Sequence, residues 1–184
     1  MPHNGKLIAL EGEDDGLLAA QMESLHRWLQ GQGLVVVQTS QPTNGPAGAQ
    51  IKLHQQGRSC FDASSLALLW MTDRLDHLGR QGGILDQLRD GYHVLCSRYW
   101  LYAYAHLLDR VALEWQVAIH ALCTAPDLTL YVDGGGGLEH YRRAIDRLTQ
   151  EGARIVHIDG RSAPDGVDGA CRRAVASLLP VEVG

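Results

Sequence analysis

The stretch that decides the fold is residues 7–20, which read LIALEGEDDGLLAA. It begins with four aliphatic residues, as a strand covered on both faces should. A turn with Gly12 and Gly16 follows, and an apolar stripe begins at Leu18. Strand, glycine-bearing turn and helix form the frame in which backbone N–H groups and the helix dipole hold a phosphate. The stretch therefore predicts an α/β protein with a phosphate-loop frame at its first turn.

Short apolar segments alternate with helical stretches along the whole chain. Parallel neighbours need a crossover, so this alternation predicts a single-domain, doubly wound, five-stranded parallel sheet over residues 1–184. Such a sheet collects ligands at the carboxyl ends of its strands. The predicted strands are residues 6–10, 34–38, 93–96, 128–132 and 154–158.

Apolar spacing predicts three of the helices. The first is ended by Gly31 and Gly33, the last is closed by Pro180, and a third covers residues 66–78. The stripes of the first and last helices are Leu18, Met22, Leu25 and Leu29, and Val167, Cys171, Val175 and Leu178.

Composition narrows the function classes. A formal charge of -5 gives no basic footprint, so no nucleic-acid partner is expected. No segment approaches the ~20 apolar residues needed to span a bilayer, so no membrane association and a cytoplasmic location are expected. The nine histidines lack acid or cysteine partners at ligand spacing, so no metal is expected. The cysteines are predicted to be buried reduced thiols; they are Cys60, Cys96, Cys123 and Cys171.

The first turn lacks the side chains that a phosphate loop uses. A working loop needs a Gly-Lys-Ser/Thr step, whereas these positions read Leu17, Leu18 and Ala19. The turn is acidic and has no lysine or arginine of its own, so a carboxylate is expected at the helix N-terminus. From this segment alone, a simple tight turn explains the pattern equally well. The degenerate phosphate loop is defined by Gly12, Asp14, Gly16, Leu18 and Ala19.

Residues 10–14, with Gln21 after them, resemble the opening of the thymidylate kinase family, whose members phosphorylate dTMP from ATP. Further landmarks follow in the family's order over roughly residues 6–179. They are SQP at 40–42 with GP at 45–46, LLWMTDR at 68–74 with His77, SRY at 97–99, and PDLT at 126–129 followed by Val132 and Asp133. The resemblance implies a P-loop nucleotide kinase fold.

The resemblance also implies a candidate nucleotide pocket. Trp70 matches the aromatic position on which the family stacks thymine, and Arg74 matches an arginine that reaches the nucleotide. Arg98 and Tyr99 match positions that touch the monophosphate. Bulky residues replace the polar ones that complete this pocket in the family, which argues against a retained pocket. In the alternative interpretation, Trp70 and Arg74 are core residues. The replacing residues are Leu101, Tyr102, Ala103 and Leu107.

Departures from the family fall on its catalytic parts. Ser97 replaces the acidic residue after the third strand, and Ser40 and Gln41 replace an arginine and a glutamate. Where the family has an arginine-bearing lid, this chain passes through four glycines at 134–137 into the next helix, so the lid is predicted to be deleted. These losses predict no catalytic residues and no cofactor.

Three hypotheses remain at this point. The favoured one is a non-catalytic thymidylate kinase-like binding, scaffold or regulatory module. The alternatives are an active dTMP kinase with an atypical site, which would need ATP and Mg²⁺, and a sensor that binds a nucleotide without turnover. A protein partner is also considered, and the resemblance implies a homodimer through residues 66–78 and 113–123, which remain apolar.

Overall fold

Five parallel strands form one sheet in the order β2-β3-β1-β4-β5. The computed structural model describes residues 4–136 and 138–181. All five predicted strands and the doubly wound parallel topology are confirmed. The strands are β1 (Leu7–Glu11), β2 (Val36–Ser40), β3 (His93–Ser97), β4 (Leu128–Asp133) and β5 (Ile155–Asp159).

Each strand ends one or two residues later than the sequence pattern predicts. The added last residues are polar, and most of them still pair in register, as Ser40 does with Ser97 and Asp133 with Asp159. A hydropathy pattern stops at the last apolar residue, so it misses these positions. The carboxyl edge of the sheet is therefore lined by Glu11, Ser40, Ser97, Asp133 and Asp159.

Helices cover both faces of the sheet. The three helices predicted from apolar stripes are present, although the last one ends at Ala176 rather than Leu178. Periodicity misses the short helices because they span only two or three turns. Within the described ranges, no helix is long and apolar enough to cross a bilayer. The helices are α1 (Asp15–Gly31), α2 (Pro46–Gln55), α3 (Ala63–Gly79), α4 (Ile84–Arg89), α5 (Leu101–Leu107), α6 (Leu113–His120), α7 (Leu138–Gln150) and α8 (Pro164–Ala176).

The first strand divides its side chains between two core clusters. Ile8 and Leu10 join the cluster under α1 and α8, while Leu7 and Ala9 join the cluster under α5 and α7. Side chains alternate between the two faces of a strand, so a central strand buried on both faces must be apolar throughout. This is why residues 7–10 read as an unbroken aliphatic run.

Cys60 is exposed, so the prediction that all four cysteines are buried is wrong at this position, which lies in the loop before α3. The other three are buried free thiols, and burial raises the pKa of Cys171 to about 12.

The glycine connection predicted at 134–137 joins β4 to α7, and Gly137 lies outside the described residues.

Replacing Gly48 in α2 by alanine should destabilise the fold. An added Cβ would lie 2.3 Å from the Thr43 carbonyl oxygen and 2.7 Å from an Asp73 carboxylate oxygen. Asp73 and Thr43 are hydrogen-bonded to each other and buried, so neither can move easily. We expect Gly48→Ala to lower the free energy of unfolding by about 1–3 kcal/mol in urea denaturation.

Gly31→Ala is the matched control, because a Cβ on Gly31 meets nothing within 4 Å. It should leave stability unchanged or raise it slightly through helix propensity. Equal unfolding midpoints for the two variants would contradict the packing argument.

Candidate functional site

The turn after β1 supplies its own helix cap. Asp14 has an extended backbone at the N-cap of α1, and its Oδ1 accepts a hydrogen bond of 2.9 Å from the Leu17 backbone N–H. This N–H is one of the free donors that a helix N-terminus offers to an anion. A carboxylate of the chain therefore occupies the helix N-terminus, as the acidic turn predicts.

The residues at the expected lysine and glycine positions are packed rather than open. Leu18 is 2% exposed and belongs to the core cluster under α1 and α8. Leu17 packs over the backbone of Gly160, where a Cβ would come within 2.6 Å of its Cδ2. Gly12 lies equally close to β4, since a Cβ there would be 2.5 Å from the Val132 carbonyl oxygen. Ala19, by contrast, is exposed. The packing of Leu17 and Leu18, together with the close backbone approaches at Gly12 and Gly160, fixes the turn to the sheet.

Arg98 brings a positive charge to the acidic turn. Its Nη2 lies 2.7 Å from Asp15 Oδ1 and donates to the Glu13 carbonyl oxygen at 3.0 Å. The guanidinium also lies 4.3 Å from the ring centroid of Tyr102. The turn has no lysine or arginine of its own, but Arg98 reaches it in space because β3 ends beside β1. Arg98 has a left-handed backbone with φ of 56°, a conformation that these contacts must stabilise.

Glu11 has a structural role that the sequence analysis did not assign. Its buried carboxylate accepts backbone hydrogen bonds from Tyr99 and Leu101, both 2.9 Å, and from Tyr102 at 3.1 Å. Burial raises the pKa of Glu11, while these N–H groups and the charge of Arg74 oppose the shift. Glu11 therefore holds the start of α5 against the end of β1. The one sequence signal for it is a carboxylate ending an aliphatic strand.

Arg74 is completely buried and has a partner for each of its terminal nitrogens. Its Nε donates to Gln41 Oε1 at 3.1 Å, its Nη1 lies 2.6 Å from His120 Nδ1, and its Nη2 donates to the Tyr99 carbonyl oxygen. Burial, followed by the charge of Arg74, lowers the pKa of His120 to about 2, so the ring is a neutral acceptor. His120 and Gln41 lie 46 and 33 residues from Arg74, so no spacing rule could have found them.

Trp70 lies in a buried cluster with Ile51, Ala103 and Leu107. Its ring centroid is 5.7 Å from that of Tyr102. Three of the residues expected to fill the pocket thus lie beside Trp70, because Tyr102 contacts its ring and Ala103 and Leu107 belong to the same buried cluster. The four residues of the candidate pocket fall into two contact groups. Trp70 and Arg98 both contact the ring of Tyr102, and Arg74 lies 5.0 Å from the Tyr99 ring centroid.

Two further side chains of α3 hold the loop after β2. Asp73 accepts a hydrogen bond of 2.9 Å from the Thr43 backbone N–H. His77 lies 2.8 Å from the Thr39 hydroxyl and 3.3 Å from Gln41 Nε2. Asp73 and His77 therefore have structural roles, since both fix the end of β2 and the loop after it to α3.

The space above the turn is acidic. A cavity of about 270 Å³ is bounded by Glu13, Asp14, Tyr131 and Asp133, together with Gly134 and Gly136, and this lining contains no lysine or arginine. Among the residues that the structure describes, no cluster of three or more histidine, cysteine or acidic side chains could hold a metal ion. The cavity offers hydrogen-bond acceptors and repels anions, at about 1–4 kcal/mol for each close pair of like charges.

His77 should make stability depend on pH. Burial, followed by the charge of Arg80, lowers the pKa of His77 from 6.5 to about 4. Between these values the unfolded chain binds a proton that the folded chain does not, so stability falls as pH falls from 6.5. The loss due to His77 should approach about 1.4 kcal/mol per pH unit at most. Urea denaturation between pH 6.5 and 5 should show a shallower dependence for His77→Gln, and identical slopes would contradict the assignment.

The chain matches known proteins over most of its length. The family model for thymidylate kinase matches residues 19–154, a range that begins after the turn at residues 12–18. A Pyrococcus abyssi protein named "Probable thymidylate kinase" is 32% identical over 135 residues, covering 70% of this chain. The "Thymidylate kinase" of Thiobacillus denitrificans is 31% identical over 159 residues, covering 80% of this chain and 75% of that protein. The match spans 65% of the length of the Pyrococcus relatives. The matched range, together with the five-stranded parallel sheet, shows that the chain belongs to the thymidylate kinase family.

Proposed function

We propose that this protein is a non-catalytic member of its family, acting as a binding or scaffold module. One observation carries the proposal: two groups at the first turn that could hold a phosphate, a backbone N–H of the helix N-terminus and a nearby guanidinium, are bound to carboxylates of the chain itself. Asp14 accepts from the Leu17 backbone N–H, and Asp15 pairs with Arg98. The phosphates of a nucleotide would have to displace both carboxylates and would then still lie close to these negative charges.

The residues at the turn do not fit ATP and Mg²⁺. Phosphoryl transfer depends almost entirely on positioning and on neutralising charge. Leu18 offers no cation and is buried, and Ala19 offers no hydroxyl for a metal. Moreover, Glu13, Asp14 and Asp133 line the adjacent cavity. We therefore derive no phosphoryl-transfer step for this chain.

The candidate dTMP pocket supports the same proposal. Arg74 is fully buried with its nitrogens bound to Gln41, His120 and Tyr99, so reaching a ligand would require breaking these contacts. Trp70 is buried against Tyr102 and Leu107. The family match also begins only at residue 19, after the turn that would hold phosphates.

Activity and binding assays test this proposal directly. With ATP, Mg²⁺ and dTMP, the purified protein should release no ADP above the uncatalysed background. Isothermal titration with dTMP, and separately with ATP, should give no binding heat. Protein-dependent ADP release would overturn the proposal in favour of an active kinase. Binding of dTMP without ADP release would instead support a nucleotide sensor.

The variant Asp15→Asn tests the observation that carries the proposal. It removes the carboxylate partner of the Arg98 guanidinium, which then keeps only the Glu13 carbonyl oxygen, so affinity for pyrophosphate should rise about fivefold relative to the wild type. Asp86→Asn is the matched control, since Asp86 pairs with Arg89 in α4 and should leave the affinity unchanged. An unchanged affinity in Asp15→Asn would show that the carboxylate does not block the site.

We also propose that a second copy of this chain is a partner. Helices α3 and α6 pack against each other and carry exposed apolar side chains. Leu68 on α3 is 49% exposed, and Leu122, just after α6, is 75% exposed. Leu75 on α3 and Trp115 on α6 are also exposed. Exposed apolar surface of this kind commonly marks an interface.

Light scattering coupled to size exclusion should therefore report a dimer. The double variant Leu68→Glu/Leu122→Glu should be monomeric, because an interface core does not tolerate unpaired charges. Val35→Glu is the control, since Val35 is 57% exposed but lies before β2, outside both helices. A wild-type monomer at all concentrations would contradict the homodimer.

A further inference from the structure

The acidic cavity above the first turn carries a charge that its own walls do not balance. Three carboxylates line this space of about 270 Å³, those of Glu13, Asp14 and Asp133, and its lining contains no lysine or arginine. Like charges gathered in one cavity repel each other, and a bound cation would relieve that repulsion. The cavity therefore favours a positively charged occupant.

The cations beside the cavity do not neutralise it, because they are paired with other carboxylates. These pairs are Arg98 with Asp15 at 2.7 Å and Arg161 with Asp159 at 2.9 Å. His157 Nε2 lies 3.3 Å from Asp133 Oδ2, so a protonated His157 would balance one of the three lining carboxylates at most. At least two negative charges remain for a ligand to meet.

The lining carboxylates differ in how far the chain already uses them. Asp14 Oδ1 accepts from the Leu17 backbone N–H, and Asp133 Oδ1 accepts from the Gly135 backbone N–H at 2.7 Å. The Glu13 carboxylate forms no hydrogen bond or ion pair with any residue that the structure describes. A Cβ on Gly136 would lie 3.3 Å from its Oε2, so the glycine leaves this oxygen open. Glu13 is therefore the carboxylate most available to a ligand.

Tyr131 presents the edge of its ring to the same cavity. The residue lines the cavity and is 1% exposed. His157, its register partner on β5, stacks on one face of the ring with centroids 5.4 Å apart. Tyr141, which also contacts His106 of α5, stacks on it from the α5 side at 4.7 Å. Because both faces are covered, the ring edge with its hydroxyl is the part left to face the cavity.

The Tyr131 hydroxyl lacks a partner. It forms no hydrogen bond within residues 4–136 and 138–181, and, unlike the Tyr141 hydroxyl, it is not sealed from the cavity. Burial, followed by the charges of Asp133 and Glu13, raises the pKa of Tyr131, so the group stays protonated at neutral pH. Buried polar side chains normally have a partner, so this hydroxyl is an independent indication of a ligand.

The chemistry of the lining selects among cations. Across the described residues, no group of three histidine, cysteine or acidic side chains is arranged to hold a metal ion, which favours an organic cation. An ammonium group offers three N–H donors and no acceptor, and it therefore complements carboxylate and hydroxyl oxygens. The cavity is slightly smaller than the roughly 300–1,000 Å³ of pockets for drug-sized ligands, so the molecule should be small.

We propose that the acidic cavity binds a small aliphatic amine in its protonated form. The ammonium donates to the carboxylates of Glu13 and its acidic neighbours and to the Tyr131 hydroxyl oxygen. This inference rests on the proposed function and names the ligand class of the binding module, since a working kinase would place the phosphates of ATP beside this turn.

Three probes of the same four-carbon length test the chemistry by isothermal titration at low ionic strength. They are 1,4-diaminobutane, which is a dication; 1,4-butanediol, which is neutral; and succinate, which is a dianion. Only the diamine should bind. In protein labelled with ¹³C in its tyrosine rings, the diamine should also shift the ring signals of Tyr131, identified as those missing in Tyr131→Phe.

Two variants locate the binding in the cavity. Glu13→Gln should weaken diamine binding about fivefold by removing one exposed charge. Tyr131→Phe should weaken it about threefold by removing one hydrogen-bonding oxygen while keeping the ring. Glu23→Gln is the matched control, because it makes the same change of net charge on α1, where Glu23 pairs with Arg27 outside the cavity. It should bind the diamine as the wild type does.

The inference is overturned if the butanediol binds as well as the diamine, or if the Tyr131 signals stay unchanged at saturating diamine. Equal affinities of Glu13→Gln and Glu23→Gln would also overturn it, since binding would then follow net charge alone. Displacement of the diamine by Mg²⁺ at matched ionic strength would assign the cavity to a metal instead. The kinase assay separates the two proposals: ADP release removes the proposed function, whereas no ADP release and no diamine binding removes this inference alone.

Discussion

A buried guanidinium, that of Arg74, holds the carboxyl edge of the sheet to the helices around it. It reaches Gln41 after β2, the Tyr99 carbonyl oxygen after β3, and His120 at the end of α6. Burial raises the pKa of Glu11, and the nearby charge of Arg74 opposes part of that rise. A buried charge is tolerated only when it is paired and hydrogen-bonded, so each of these neighbours is constrained by it.

Glu11 extends this constraint to the first turn. Its carboxylate accepts three backbone N–H bonds at the start of α5, which places Arg98 beside the acidic turn and Tyr102 beneath Arg98. The result is an edge whose cations already have carboxylate or carbonyl partners within the chain. Such an arrangement stabilises the fold and, under the function proposed here, replaces the phosphate-binding chemistry with intramolecular pairs.

Sequence reasoning recovered the strands well but the site only in part. Aliphatic runs such as residues 7–10 predict strands because both faces are covered, whatever packs on them. The polar strand ends and the short helix α5 carry no such signal, so their positions could not be read from the pattern. The acidic turn predicted a carboxylate cap at α1, and Asp14 provides it. The cation beside that turn was missed, because Arg98 is 83 residues from Asp15 in the chain and adjacent only through strand pairing.

The sequence by itself determined the parallel α/β architecture, the family, and the absence of a lysine and a hydroxyl at residues 17–19, because these depend on residue type and local order. Only the tertiary structure decided which charges meet: Arg74 with His120, Asp15 with Arg98, and Glu11 with the start of α5. Contacts of this kind join residues far apart in the chain, and local spacing holds no information about them until the strands pair and the helices pack.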